Sequence, residues 1–91
     1  MLLIEYTNQF KRDLKLAKKR RKNLALLQKV MDNIVNEHAL DARYKDHLLG
    51  NNWAGCRELH IQPDWLLIYE IIPERNTVVF IRTGTHSDLF K

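Results

Sequence analysis

HIQPDWLLIYEIIPERNTVVFIRTGTHSDLF, residues 60–90, is the stretch whose reading decides the fold. Residues 65–72 and 78–81 are rich in β-branched and aromatic side chains, and the turn formers from Pro73 to Asn76 separate them, a pattern that predicts a β-hairpin. In a hairpin the start of the first strand lies beside the end of the second. His60, Asp64 and Trp65 are therefore expected near Arg82 and His86, and Gly84 is expected to allow a bend that turns His86 back toward the sheet.

Outward from the hairpin, Gln62 and Pro63 make a turn that leads back to a third strand over residues 53–60, where Gly55 suggests a bulge. Residues 37–52 lose periodicity and end in Gly50, Asn51 and Asn52, which predicts a long loop of the kind that often carries function. Further back, residues 23–36 place Leu24, Leu27, Met31 and Ile34 at helical spacing, and residues 9–20 do the same with Phe10, Leu14 and Ala17. Only the basic Lys19 to Lys22 region separates the two, so an antiparallel helical hairpin is expected. Residues 2–6 form a short apolar strand before Thr7 and Asn8, both able to cap a helix.

The expected architecture is one α+β domain over residues 1–91 in the order β-α-α-β-β-β, its helical hairpin packed on a mainly antiparallel four-stranded sheet. An edge position beside the final strand suits the first strand. With 91 residues there is no room for a second core. No segment approaches the roughly 20 apolar residues of a membrane span, and no secretory signal is visible at the start, so a cytoplasmic location is expected. Cys56 has no partner for an internal disulfide, and no Cys or His spacing matches a zinc site. Cys56 reads as a small strand side chain and Trp53 as packing.

Fifteen Lys and Arg against eleven Asp and Glu give a net charge of +4. Much of the excess lies between Lys11 and Lys22, including Lys18, Lys19, Arg20 and Arg21. Such a patch attracts a polyanion, nucleic acid above all. It also suits a solvated helix end, where cations complement the dipole.

His47, His60 and His86 fall in loops or at strand ends, and imidazole suits proton transfer near neutrality. Taken singly, each fits a surface histidine, as His38 does at the end of the second helix. Asp64 could take a proton, orient a histidine or cap the turn after Pro63. Arg82 could hold a phosphate through its fork of donors, or pair with Glu58 or Glu70. Taken together these five residues have the parts for phosphoryl transfer without a metal: a base for a ribose 2′-OH, a cation for the phosphorane-like transition state and an acid for the leaving 5′-oxygen. Trp65 and Phe90 could stack on bases, Trp65 alternatively serving the core and Phe90 folding back over it.

Three blocks carry a resemblance: Tyr44-Lys45-Asp46-His47; Arg57-Glu58-x-His60-x-x-Pro63-Asp64-Trp65-x-x-x-Tyr69; and Arg82-x-Gly84-x-His86-x-x-Leu89-Phe90. Together, in this order and spacing, they resemble the bacterial type II toxins of the RelE superfamily, in its YafQ-like branch, across the whole chain. The resemblance implies an mRNA-cleaving endoribonuclease acting on the translating ribosome, with no metal or organic cofactor, and neutralised by a cognate antitoxin. Operator DNA would be met only through the antitoxin complex. By the same analogy His86 is the general acid, Asp64 or His60 the base, Arg82 the phosphate clamp and His47 an aid to phosphate binding. Phe90 orients the nucleotide, Trp65 is a further functional position, and the product is a 2′,3′-cyclic phosphate with a free 5′-OH. Leu48 stands where many relatives have proline. The implied alternatives are a non-enzymatic toxin of the same fold, like the ParE-type gyrase inhibitors, and an antitoxin-binding co-repressor.

Overall fold

The computed structural model describes residues 1–90; Lys91 lies outside the described residues. Strand β1 (Leu3–Tyr6) leads through Thr7 into helix α1 (Asn8–Lys19), which Thr7 caps by accepting from the Phe10 amide at 2.9 Å. Helix α2 (Leu24–Val35) follows a turn in which Arg21 takes a left-handed φ of 60°, and Asn23 caps it through the Ala25 amide. Strand β2 (His47–Leu48) has only two residues; β3 (Arg57–Gln62), β4 (Trp65–Ile72) and β5 (Thr77–Gly84) are longer. A single helical turn, α3 (His86–Leu89), follows β5.

The strands form one sheet in the order β1-β5-β4-β3-β2, with β1 parallel to β5 and every other pair antiparallel. The hairpin of residues 60–90 is thus present as β4–β5, and the N-terminal strand joins the free side of β5 as expected. There are five strands where the sequence predicts four, because His47 and Leu48 pair with Glu58 and Arg57 inside what reads as loop. The third long strand begins at Arg57 instead of residue 53: Trp53 lies in a 3₁₀ turn and Gly55, at φ 91°, belongs to the turn before the strand. The bulge falls instead between His60 and Gln62.

Side chains alternate across the pleat. One face buries Leu59, Leu67, Tyr69, Val78 and Phe80 under Phe10 and Ala17 of α1 and Leu27, Val30, Met31 and Ile34 of α2. The opposite face carries Leu66 and Ile68 in a smaller cluster with Cys56 and Leu89, flanked by Leu49, Trp53 and Ile81. The two helices cover the first face. The second face, thinly covered by α3 and the 49–56 segment, is where polar side chains gather. Among the described residues no helix is long and apolar enough to cross a membrane.

Candidate active site

Paired residues on neighbouring antiparallel strands point to the same side of a sheet. His47 pairs with Glu58, Glu58 with Ile68, and Ile68 with Arg82; in the next row His60 pairs with Leu66 and Leu66 with Gly84. The register therefore sends His47, Glu58 and His60 to the face that carries Ile68. The chain then delivers His86: Thr85 caps α3 in a reciprocal capping box with Asp88, and His86 is its first residue.

The rings of His60 and His86 lie with centroids 5.7 Å apart, those of His47 and His60 6.4 Å apart. Glu58, buried, places Oε1 3.6 Å from Nε2 of both His47 and His60. His47 Nδ1 lies 2.7 Å from the Lys45 carbonyl, which can only accept, so Nδ1 carries the proton and Nε2 faces Glu58. His86 is held from the other side. Asp64 Oδ1 accepts from both its backbone N–H at 3.0 Å and its ring Nδ1 at 2.6 Å. The donated backbone bond, then the ring bond, holds the Asp64 carboxyl below the usual carboxylate range. Asp64 Oδ1 is thus committed twice over to His86. Among the described residues it is Glu58 that backs the two other rings.

Phe90 lies 6.5 Å from the His86 ring and 5.9 Å, edge on, from Trp53, and about two fifths of its surface is exposed. An aromatic platform adjoins the imidazoles. Trp65 does not belong to it: its ring is 1% exposed, Nε1 donates to Thr83 Oγ1 at 3.0 Å and Lys22 Nζ sits 5.8 Å over the ring, so no base can stack there. Of the two uses that the sequence allows Trp65, core packing is the one the fold adopts.

Arg82 is gripped by Asp13 of α1, with Nε at 2.8 Å and Nη2 at 3.2 Å from its two oxygens. Neither Glu58 nor Glu70 is its partner. Asp13 is itself buried and also accepts from the Thr83 amide, which ties the open side of β5 to α1 where β1 has ended. The Arg82 side chain therefore wraps from the imidazole face toward the helical one, and Nη1 takes no part in the pair. Of the basic run, Lys18, Lys19 and Arg21 are exposed, but Arg20 is not a free cation: it makes a double hydrogen bond to Asp88, at 2.7 and 3.2 Å. That bond, with the Thr85 amide, holds the Asp88 carboxyl well below the ordinary range.

The loop bearing His47 has its own anchor. Asp46 accepts from Tyr69 Oη at 2.6 Å and from Arg57 Nε and Nη2 at 3.0 and 2.9 Å. Burial, then the carboxylate, pushes the Tyr69 hydroxyl up, so it stays a donor. The sequence offers Glu58 as a partner for Arg82 and Lys22 as part of the basic run, and places neither beside the imidazoles. The alternation Glu58-x-His60 within a strand is the available signal for the first, whereas Lys22, whose charge helps lower Asp64, is brought there only by the turn after α1. Ligand atoms of Glu58, His60 and His86 lie within 4.8 Å of one another, a spacing that could also accept a divalent ion.

A family model described as the bacterial toxin of type II toxin–antitoxin systems, YafQ, matches residues 2–91. The mRNA interferase toxin YafQ of Escherichia coli strain B / BL21-DE3 is 46% identical over 88 residues, covering 96% of this chain and 94% of that one. The crystal structure of YafQ from E. coli BL21(DE3) superposes with a TM-score of 0.93 at 42% identity, and YafQ in the E. coli DinJ–YafQ complex with 0.91 at 43%, each covering 100% of both chains.

Proposed function

Because the chain belongs to the YafQ family of type II toxin–antitoxin toxins, we propose that it is an mRNA interferase of RelE-superfamily type, a cytoplasmic endoribonuclease acting on ribosome-bound message and silenced by a cognate antitoxin. The observation that carries the chemistry is the convergence of two imidazoles, each with its own carboxylate: His86 against Asp64, and His60 against Glu58. One ring can then give a proton while the other side takes one.

In the reaction the ribose 2′-oxygen attacks the adjacent phosphorus and its proton passes to the His60–Glu58 pair. The P–O5′ bond breaks, and the departing oxygen takes the proton from Nε2 of His86, whose Nδ1–H stays on Asp64. The products are a 2′,3′-cyclic phosphate and a 5′-OH. Arg82, through the part of its guanidinium outside the Asp13 pair, supplies positive charge for the phosphorane-like transition state, and His47, next to His60, helps bind the phosphate. Phe90 and Trp53 offer an aromatic surface to a base.

Purified protein should cut ribosome-bound mRNA with no metal beyond the magnesium that ribosomes require, and His86→Ala should lower the rate at least ~100-fold, the low end of what a positioned acid contributes. Equal cleavage by the variant would remove His86 from the mechanism. A gyrase-directed toxin has no use for this site, and growth arrest with normal supercoiling, relieved by His86→Ala, separates the two.

A further inference from the structure

A cleft of about 540 Å³ that the proposed reaction leaves unused runs past buried Tyr44 and Ile61 and meets the imidazole cluster through His60. It lies at the free edge of β3, beyond the end of two-residue β2, and is lined by Leu26, Arg43, Lys45, His60, Gln62 and Pro63. Its volume falls within the roughly 300–1,000 Å³ range of small-ligand clefts. Resting on the reading of His60 and His86 as the two ends of the reaction, we infer that this cleft is the subsite for the nucleotide immediately 5′ of the cut, the one whose 2′-OH attacks.

Three observations carry the assignment. First, polarity: the leaving 5′-oxygen belongs to the downstream nucleotide and meets His86, whose other neighbour is Phe90. The attacking ribose must then lie on the His60 side, and His60 is the residue shared by the active site and the cleft. Second, lining chemistry: the Arg43 guanidinium lies 5.0 Å over the Tyr44 ring and is fixed there by a 3.1 Å bond to its hydroxyl, so a flat cation faces the cleft. Leu26 and Pro63 offer apolar surface for the faces of a base. The exposed Gln62 offers both a donor and an acceptor to its edge. Third, rigidity: Asp41 caps the 3₁₀ turn Ala42–Tyr44, Lys45 ends it at a left-handed φ of 53°, and its carbonyl holds His47. One short segment thus sets both the cleft wall and a catalytic-site ring.

The test is photocrosslinking on programmed ribosomes, with a 4-thio-2′-deoxyuridine at the nucleotide 5′ of the cleavage position, which also blocks the reaction. Crosslinks should map to residues 43–45 or 62–63; crosslinks to Trp53 or Phe90 would overturn the assignment. In cleavage of all-ribose messages, Gln62→Ala and Arg43→Gln should change the relative kcat/KM among bases at the 5′ position at least threefold, and leave the preference at the 3′ position unchanged. Unaltered 5′ preference, or an equal shift on both sides, also overturns it. Cleavage by the wild type without crosslinks in the cleft defeats the subsite alone. Crosslinks in the cleft without cleavage of the all-ribose message defeat the nuclease reading, and with it the assignment of the attacking nucleotide.

Discussion

Replacing Asp46 by alanine should harm the protein more than replacing Asp46 and Tyr69 together. Tyr69 is 2% exposed and its hydroxyl donates to Asp46 at 2.6 Å. Asp46→Ala leaves that hydroxyl buried without a partner, which costs about 1–3 kcal/mol, and releases Arg57, which is a third exposed and loses less than about 1 kcal/mol. The cleft lined by Asp46, Arg57 and Tyr69 lets water approach, so the total should sit near ~2 kcal/mol. For a domain of this size that lowers Tm by roughly 8–16 °C. In the double variant Asp46→Ala with Tyr69→Phe no hydroxyl is stranded, and about 1 kcal/mol should return. Urea and thermal unfolding of wild type, both singles and the double give the cycle. Additive losses, or an Asp46→Ala variant as stable as wild type, would refute the reasoning. Since Asp46 precedes His47, cleavage by Asp46→Ala should also fall at temperatures where the fold is intact.

Asp88 gives a pH prediction. Its folded carboxyl is held below the usual range by Arg20, so its contribution is present above the unfolded value of about 3.9 and fades as pH falls through the lower folded one. The Tm gap between wild type and Asp88→Asn should stay level from about pH 7 to 5 and narrow only below about pH 4; a gap already closed at pH 5 would contradict this. A Cβ added at Gly84 would meet Asp88 Oδ2 at 2.8 Å and its Cβ at 3.0 Å, so Gly84→Ala should cost about 1–3 kcal/mol and slow cleavage by shifting α3; wild-type unfolding and activity would count against it. Neutralising Lys18, Lys19 and Arg21 should weaken ribosome binding and flatten its salt dependence, with stability unchanged because Arg20 is spared; an unaltered salt slope would leave them as solvated surface.

Much of the fold is legible because its signals are local. The hairpin, the Thr7 and Asn23 caps and the helical stripes all rest on neighbours within a few residues. β2 is not, since two residues become a strand only by pairing with Glu58 and Arg57. Of the site, the convergence of His60, Asp64 and His86 follows from hairpin geometry. The state of Arg82 does not, for its partner Asp13 lies 69 positions away. A hint exists: Phe10, Asp13 and Ala17 share one helical stripe, and a charge on a buried stripe needs a partner. The sequence reads Gly84 as a residue that allows a bend; its φ is not positive, and what matters is the space it leaves for Asp88.

The strand that delivers Arg82 and His86 is fastened to the first part of the polypeptide. Thr7 donates to the Ile81 carbonyl across 74 positions, Asp13 reaches Arg82 across 69 and Arg20 reaches Asp88 across 68. During synthesis those N-terminal anchors exist long before anything can attach to them, and such distant pairings are slow to form. An incomplete translation product lacking β5 would therefore carry no assembled nuclease centre. The ribosome would be making a poison that stays harmless until its late strand emerges.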